Sequence, residues 1–208
     1  MTNRIAVVDY GMGNLRSVEQ ALRHVAGESE VVLASTPDLI ESADRVVFPG
    51  QGAMRDCMAE LDTRNLRQAV INAAASKPFL GICIGLQMLF DHSEEGDAAG
   101  LGILSGQVKR FALDLKGADG LRLKVPHMGW NDVAPMHHSP LIVPGEAYFL
   151  HSYHFVPEEG ASIAAMTDHG GGLVAAVGRD NVLGVQFHPE KSQDNGLRLL
   201  QNWVNWSA

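Results

Sequence analysis

Cysteine is scarce: only Cys57 and Cys83 occur in 208 residues. Two thiols make no disulfide framework, and one reactive plus one inert thiol suits a reducing compartment. Basic residues are in deficit, 16 Lys and Arg against 24 Asp and Glu, for a formal net charge of −8. That balance argues against nucleic acid or an anionic membrane as a partner. No apolar run is long enough for a membrane span, and Met1-Thr2-Asn3-Arg4-Ile5 leads straight into a short strand rather than a signal segment. A cytoplasmic location is expected. Metal patterns are missing too: the nine histidines form no His-Glu-x-x-His, and there is no Cys-x-x-Cys. His137-His138 sits in a Pro-flanked loop and reads as solvent-facing, while His151 and His154, three apart on one strand, face opposite sides. Neither metal nor cofactor is expected. No repeat or low-complexity linker divides the chain, so residues 1–208 read as a single domain.

What is present first is alternation. Ile5-Ala6-Val7-Val8-Asp9-Tyr10 suits a strand buried on both faces, and Leu15, Val18, Leu22 and Val25 then recur at helical spacing up to Gly27. Glu30 to Leu33 is a second strand, Thr36-Pro37 opens a short helix, and Arg45 to Phe48 is a third strand ended by Pro49-Gly50-Gln51-Gly52. Residues 53 to 75 read as helix with a break near Asp62, before a fourth strand from Phe79 to Ile82. This alternation implies an α/β fold, a parallel sheet covered on both faces. After Gly96, short β-prone runs such as Gly106 to Phe111 and Ala147 to Leu150 predict antiparallel strands that extend the central sheet. A helix from about Asp194 to Trp206 closes the chain, with Leu197, Leu200 and Val204 inward.

The chemistry concentrates at two places. Gly81-Ile82-Cys83-Ile84-Gly85 has the pattern of a nucleophile elbow, a tight strand-to-helix turn that pushes its apical side chain into a cleft. A helix starting at Cys83 would favour the thiolate through its N–H groups and dipole. Far along the chain, Phe187-His188-Pro189-Glu190 follows an apolar strand. On an extended backbone His188 and Glu190 project to one side, so the carboxylate can select the imidazole tautomer and support the imidazolium. Cys83, His188 and Glu190 thus supply nucleophile, base and orienter.

Together these motifs resemble the triad, or class I, glutamine amidotransferases, and Pro49-Gly50-Gln51-Gly52 looks like that family's oxyanion strand. The resemblance implies a three-layer α/β/α fold around a mostly parallel sheet extended by antiparallel strands. It also implies hydrolysis of glutamine through a Cys83 thioester, with oxyanion donors from Gly50, Gln51, Gly52 and the Ile84 N–H. Gln87, Ser152 and Tyr153 would help bind the glutamine. Gln51 departs from the small apolar residue, commonly valine, of that strand. Asp9 to Leu15, Pro126 to Asn131 and Tyr148 to Tyr153 resemble the histidine-biosynthetic branch of the family. In that branch the glutaminase pairs, as a heterodimer, with a (β/α)8-barrel cyclase making imidazole glycerol phosphate and an aminoimidazole carboxamide ribotide. Asn14, Met128, Trp130 and Lys191 would meet that partner. A glutaminase that feeds a synthesis must pass ammonia on inside protein, since free ammonia is largely protonated at neutral pH. This chain shows no second domain to receive it, which also points to a separate synthase subunit. The glycines of the oxyanion strand would let a peptide turn either its N–H or its C=O to the cleft, so activation by the partner is expected.

Other readings are weaker. Gly11-Met12-Gly13 follows a strand, but Arg16 occupies the third glycine position and no acidic residue ends the second strand, so the dinucleotide fingerprint is incomplete. A stand-alone cysteine hydrolase of the α/β-hydrolase type would place its acid before its histidine, not two residues after it. Service to another amidotransferase synthesis is a further alternative. A catalytically silent binding module would have no need of Cys83, His188 and Glu190 together.

Overall fold

The computed structural model describes residues 3–136, 139–158 and 162–207. His137 and His138, read above as solvent-facing, lie outside them. The first half alternates as the apolar runs dictate: β1 (Arg4–Val8), α1 (Leu15–Val25), β2 (Glu30–Ala34), α2 (Pro37–Glu41), β3 (Arg45–Gly50), α3 (Met54–Thr63), α4 (Arg67–Ser76), β4 (Phe79–Cys83) and α5 (Ile84–Gln87). Ile5 to Val8 are wholly buried, which is why this run carries no polar alternation. Helix α1 buries Val18, Ala21 and Leu22, and the chain leaves it at Gly27, whose φ of +59° suits a residue without Cβ. The break expected near Asp62 falls a little later. Asn65 adopts φ +57°, and the Leu66 N–H donates to the Leu61 carbonyl at 3.0 Å. Asparagine tolerates this left-handed conformation better than most residues, so it ends α3.

The second half contains β5 (His92–Ser93), β6 (Ala98–Ala99), β7 (Gly106–Arg110), β8 (His127–Pro135), β9 (Gly145–His151), β10 (Tyr153–Pro157), β11 (Ser162–Asp168), β12 (Gly172–Arg179), β13 (Val182–Val185) and α6 (Gln193–Val204). A nine-stranded sheet runs β2-β1-β3-β4-β13-β12-β11-β8-β9. From β2 to β13 neighbours are parallel, and beyond β13 they are antiparallel. The late strand β13 is therefore inserted in the middle, with Gly184 opposite Gly81 and Val185 opposite Ile82. That register carries the end of β13 to the end of β4.

Two sequence expectations need correction. Gly106 to Phe111 does not extend the central sheet: β7 joins a separate four-stranded sheet, β10-β7-β5-β6. The chain turns at Ser152, between β9 and β10, and so passes from one sheet to the other. Helix α6 runs two residues shorter than expected at its C-terminal end and buries Gly196, Leu199, Leu200, Trp203 and Val204, leaving Leu197 at the margin. A Cβ at Gly196 would strike the Pro189 backbone, so this glycine sets the helix face and presses it against the segment carrying His188 and Glu190. No helix among the described residues is long and apolar enough to cross a membrane.

Candidate active site

Strand β4 ends at Cys83, which adopts φ +55° and ψ −113°. Positive φ in a non-glycine residue costs on the order of 1–3 kcal/mol and persists only where surroundings enforce it. Here glycines make the enforcement possible. A Cβ on Gly85 would collide with the Phe48 carbonyl, and one on Gly81 would lie 2.9 Å from Leu86 Cα. A Cβ on Gly50 would lie 2.6 Å from the Gly85 nitrogen. Strand β3 and the elbow therefore touch backbone to backbone. The helix begins one residue later than expected, with Cys83 as its N-cap, and α5 has only four residues. Its dipole contributes little, and local donors matter more than the helix does.

His188 and Glu190 meet, but not on an extended backbone. Pro189–Lys191 form a 3-10 turn, and His188 Nδ1–H donates to Glu190 Oε1 at 2.9 Å. The turn is tied down from two sides. The His188 N–H donates to the Tyr148 carbonyl at 2.9 Å, and Ser192 Oγ–H donates to the His188 carbonyl at 2.6 Å. Burial alone would lower the His188 pKa, but hydrogen bonds and charge from Cys83 and Glu190 outweigh it and raise the value to about 10. The imidazole is thus held between Cys83 and Glu190. Cys57, by contrast, is pushed up to about 11, chiefly by burial, with its thiol donating to the Gln51 carbonyl at 3.6 Å.

A cleft of about 260 Å³ opens over Cys83. Gln51, Gly52, Ile84, Gln87, Ser152, Tyr153 and His188 line it with Cys83, while Glu190 stands behind His188. Gly50 does not line it; it is buried against Gly85. Ile84 is the first residue of α5, so no carbonyl within the helix takes its N–H. Gln87 is wholly buried and its Oε1 has no hydrogen-bond partner among the described residues, a free acceptor at the cleft wall. The Tyr153 carbonyl already accepts from Gln87 Nε2 at 3.2 Å and from His151 Nδ1 at 2.8 Å, so it positions those side chains.

Of the remaining expected residues, Met128 and Trp130 are exposed and Asn14 and Lys191 half-buried. Met128 and Trp130 on β8 are 61% and 45% exposed. Trp130 packs edge-on against Tyr148, and Lys191 Nζ sits 5.8 Å from the Tyr148 ring centroid. Asn14 precedes α1 without a side-chain capping bond, so that amide is not spent on the helix.

Sequence reasoning missed two features. Gln186, just past β13, donates from Nε2 to Cys83 Sγ at 3.7 Å. Its signal, a glutamine at the end of an apolar strand, is legible only once the β13–β4 register is known. His151 and His154 do not share a strand: they lie on β9 and β10 of different sheets, and both rings approach Phe111, at 5.2 and 5.1 Å. His151 is deeply buried, and desolvation lowers its pKa to about 3, so it stays neutral beside the cleft. Among the described residues no group of three or more His, Cys, Asp or Glu could hold a metal ion.

A crowded cysteine elbow, an imidazole–carboxylate pair and a cleft beside them define a cysteine-dependent acyl-transfer enzyme. The family model for glutamine amidotransferase class-I matches residues 6–206. The chain therefore belongs to the class-I glutamine amidotransferases. It is 55% identical to "Imidazole glycerol phosphate synthase subunit HisH" of Aromatoleum aromaticum, over 98% of each chain. It is 56% identical to the protein of the same name from Thiobacillus denitrificans, over 100% of this chain and 93% of that one. A crystal structure of a glutamine amidotransferase shares the fold with a TM-score of 0.73 at 20% identity, covering 97% of this chain and 99% of the other.

Proposed function

We propose that this chain is the glutaminase subunit of an imidazole glycerol phosphate synthase. It hydrolyses glutamine to glutamate and ammonia and passes the ammonia to a (β/α)8-barrel cyclase partner, as a heterodimer, in histidine biosynthesis. The names of its relatives support the pathway, and the observation that carries the chemistry is the insertion of β13 beside β4. That single topological step brings the His188–Glu190 pair to Cys83.

The reaction follows from the groups present. The Cys83 thiolate attacks the side-chain carbonyl carbon of glutamine, and the new oxyanion takes N–H donors from Ile84 and the Gln51–Gly52 backbone. His188, charged and fixed by Glu190, gives its proton to the departing nitrogen, so the C–N bond breaks and ammonia leaves. Water then loses a proton to His188 and attacks the glutamyl thioester; the C–S bond breaks and glutamate is released. Removing one oxyanion donor costs on the order of 10²–10³ in rate. Asn14, Met128, Trp130 and Lys191 are assigned to the partner interface, Lys191 following Glu190 in the same 3-10 turn.

Glutamate release by the complex tests the roles of the pair. His188→Asn is expected to lose nearly all activity, since it removes the proton carrier. Glu190→Gln is expected to lose less, because it orients and stabilises without transferring the proton. Wild-type turnover in the Glu190→Gln protein would remove that residue from the site.

A further inference from the structure

We propose that Gln186 belongs to the catalytic machinery: its side-chain amide is the fixed N–H donor to the Cys83 thiolate, and Gln87 links that donor to bound glutamine. The inference rests on reading Cys83 as the nucleophile and goes beyond the triad.

Gln186 is 1% exposed and makes two side-chain contacts that matter. Its Nε2 lies 3.7 Å from Cys83 Sγ, and its Oε1 accepts from Gln87 Nε2 at 2.9 Å. The other hydrogen of Gln87 Nε2 goes to the Tyr153 carbonyl at 3.2 Å. The direction of this chain is forced by its far end. A backbone carbonyl only accepts, so Gln87 must turn its NH2 toward Tyr153. That nitrogen also faces Gln186, which must answer with oxygen and therefore points its own NH2 at the sulfur. Flipping either amide would set donor against donor or acceptor against acceptor. The Gln186 backbone is fixed as well, its N–H donating to the Ala175 carbonyl at 2.9 Å.

The choice of a neutral amide fits the site. A lysine or arginine here would hold the thiolate but repel the His188 imidazolium. A carboxylate would repel the thiolate itself. An amide donates to the sulfur without a net charge. The opposite end of the chain is unpaired, because Gln87, which lines the cleft, holds its Oε1 buried without a hydrogen-bond partner among the described residues. A donor from the substrate, its ammonium or its primary amide, completes it. Hydrogen bonds in series polarise one another, so engaging that oxygen strengthens the Gln186 donor at the sulfur. Substrate binding and nucleophile stabilisation are thereby coupled.

The test is the pH–rate profile for alkylation of Cys83 by iodoacetamide in the full chain, wild type against Gln186→Leu and Gln186→Glu. The other titratable groups around Cys83 are His188 and Glu190 beyond β13, Tyr10 beyond β1, Cys57 on α3, and Glu95, His151 and Tyr153 lining the cleft. All of them stay in place, so a difference isolates Gln186. The expected midpoint moves up in both variants, by about one pH unit in Gln186→Leu, which is about tenfold slower labelling below the midpoint. It moves further in Gln186→Glu, where a carboxylate replaces the donor. The high-pH plateau stays at or above wild type, since a thiolate of higher pKa is the better nucleophile. If the leucine variant fails to fold, the near-isosteric glutamate variant carries the comparison. Unmoved midpoints in folded variants whose Cys83 still reacts overturn the proposal and leave Gln186 a packing residue. A wild-type Cys83 that iodoacetamide does not label would instead overturn the nucleophile reading on which it rests.

Discussion

Replacing Cys83 with alanine is expected to abolish synthesis driven by glutamine while synthesis driven by added ammonium salt continues. The sulfur is the only atom at the elbow apex that can form the acyl intermediate. The remaining site keeps its oxyanion donors and binding contacts but has nothing to attack with. Removing the nucleophile of such a triad costs on the order of 10⁶ in turnover. The cyclase reaction needs only ammonia, so it survives. Folding and partner binding are expected to be preserved, because among the described residues Cys83 Sγ makes only two long contacts, with Gln186 Nε2 at 3.7 Å and the Leu150 carbonyl at 3.9 Å. Serine at position 83 should behave in the same way. Glutamine-driven synthesis at the wild-type rate in either variant would remove Cys83 from the mechanism.

The second large effect is activation by the partner. The subunit alone is expected to be nearly inactive, with kcat for glutamine rising by orders of magnitude when the barrel cyclase and its ligand are added. The oxyanion strand supplies the means. Gly52 adopts φ +116°, which only glycine takes readily, and the neighbouring Gln51 carbonyl is turned to Cys57 rather than to substrate. An exchange of N–H for C=O in this strand is the change that the partner is expected to drive. A partner touching Asn14, Trp130 or Lys191 can favour the competent arrangement only by its difference in affinity for the two states. A difference of about 4 kcal/mol corresponds to roughly a thousandfold change in the competent population. Steady-state glutaminase assays with and without the cyclase read this directly. Full turnover by the isolated subunit, unchanged by the cyclase, would reject the gate and favour a stand-alone hydrolase.

Much of this was legible in the sequence because it is written locally. The glycines around Cys83 mark a turn that no other residue could make, and His188-Pro189-Glu190 announces its pairing within three residues. The parallel half of the sheet follows from continuous apolar strands alternating with helical periodicity. What was not legible depends on register and on distant packing. Gln186 reads as the polar end of a strand until β13 is placed beside β4. Strand β7 leaves the main sheet because the chain turns at Ser152, and short β-prone runs carry no label for the sheet they join. The stripe of α6 is set by Gly196 against Pro189, a contact no helical periodicity contains. Met128 and Trp130, which the resemblance assigns to a partner surface, are exposed in the fold, though composition alone would place a methionine and a tryptophan in the core.

The most direct measurement is labelling by a glutamine-analogue alkylator, followed by mass spectrometry of the modified peptide. Both cysteines are buried, but only Cys83 lines the cleft and faces an imidazolium, while burial holds the Cys57 thiol up at about 11. The account expects a single adduct at Cys83, formed in step with loss of glutaminase activity and prevented by glutamine. An adduct on Cys57, with Cys83 unmodified and activity lost, would contradict it.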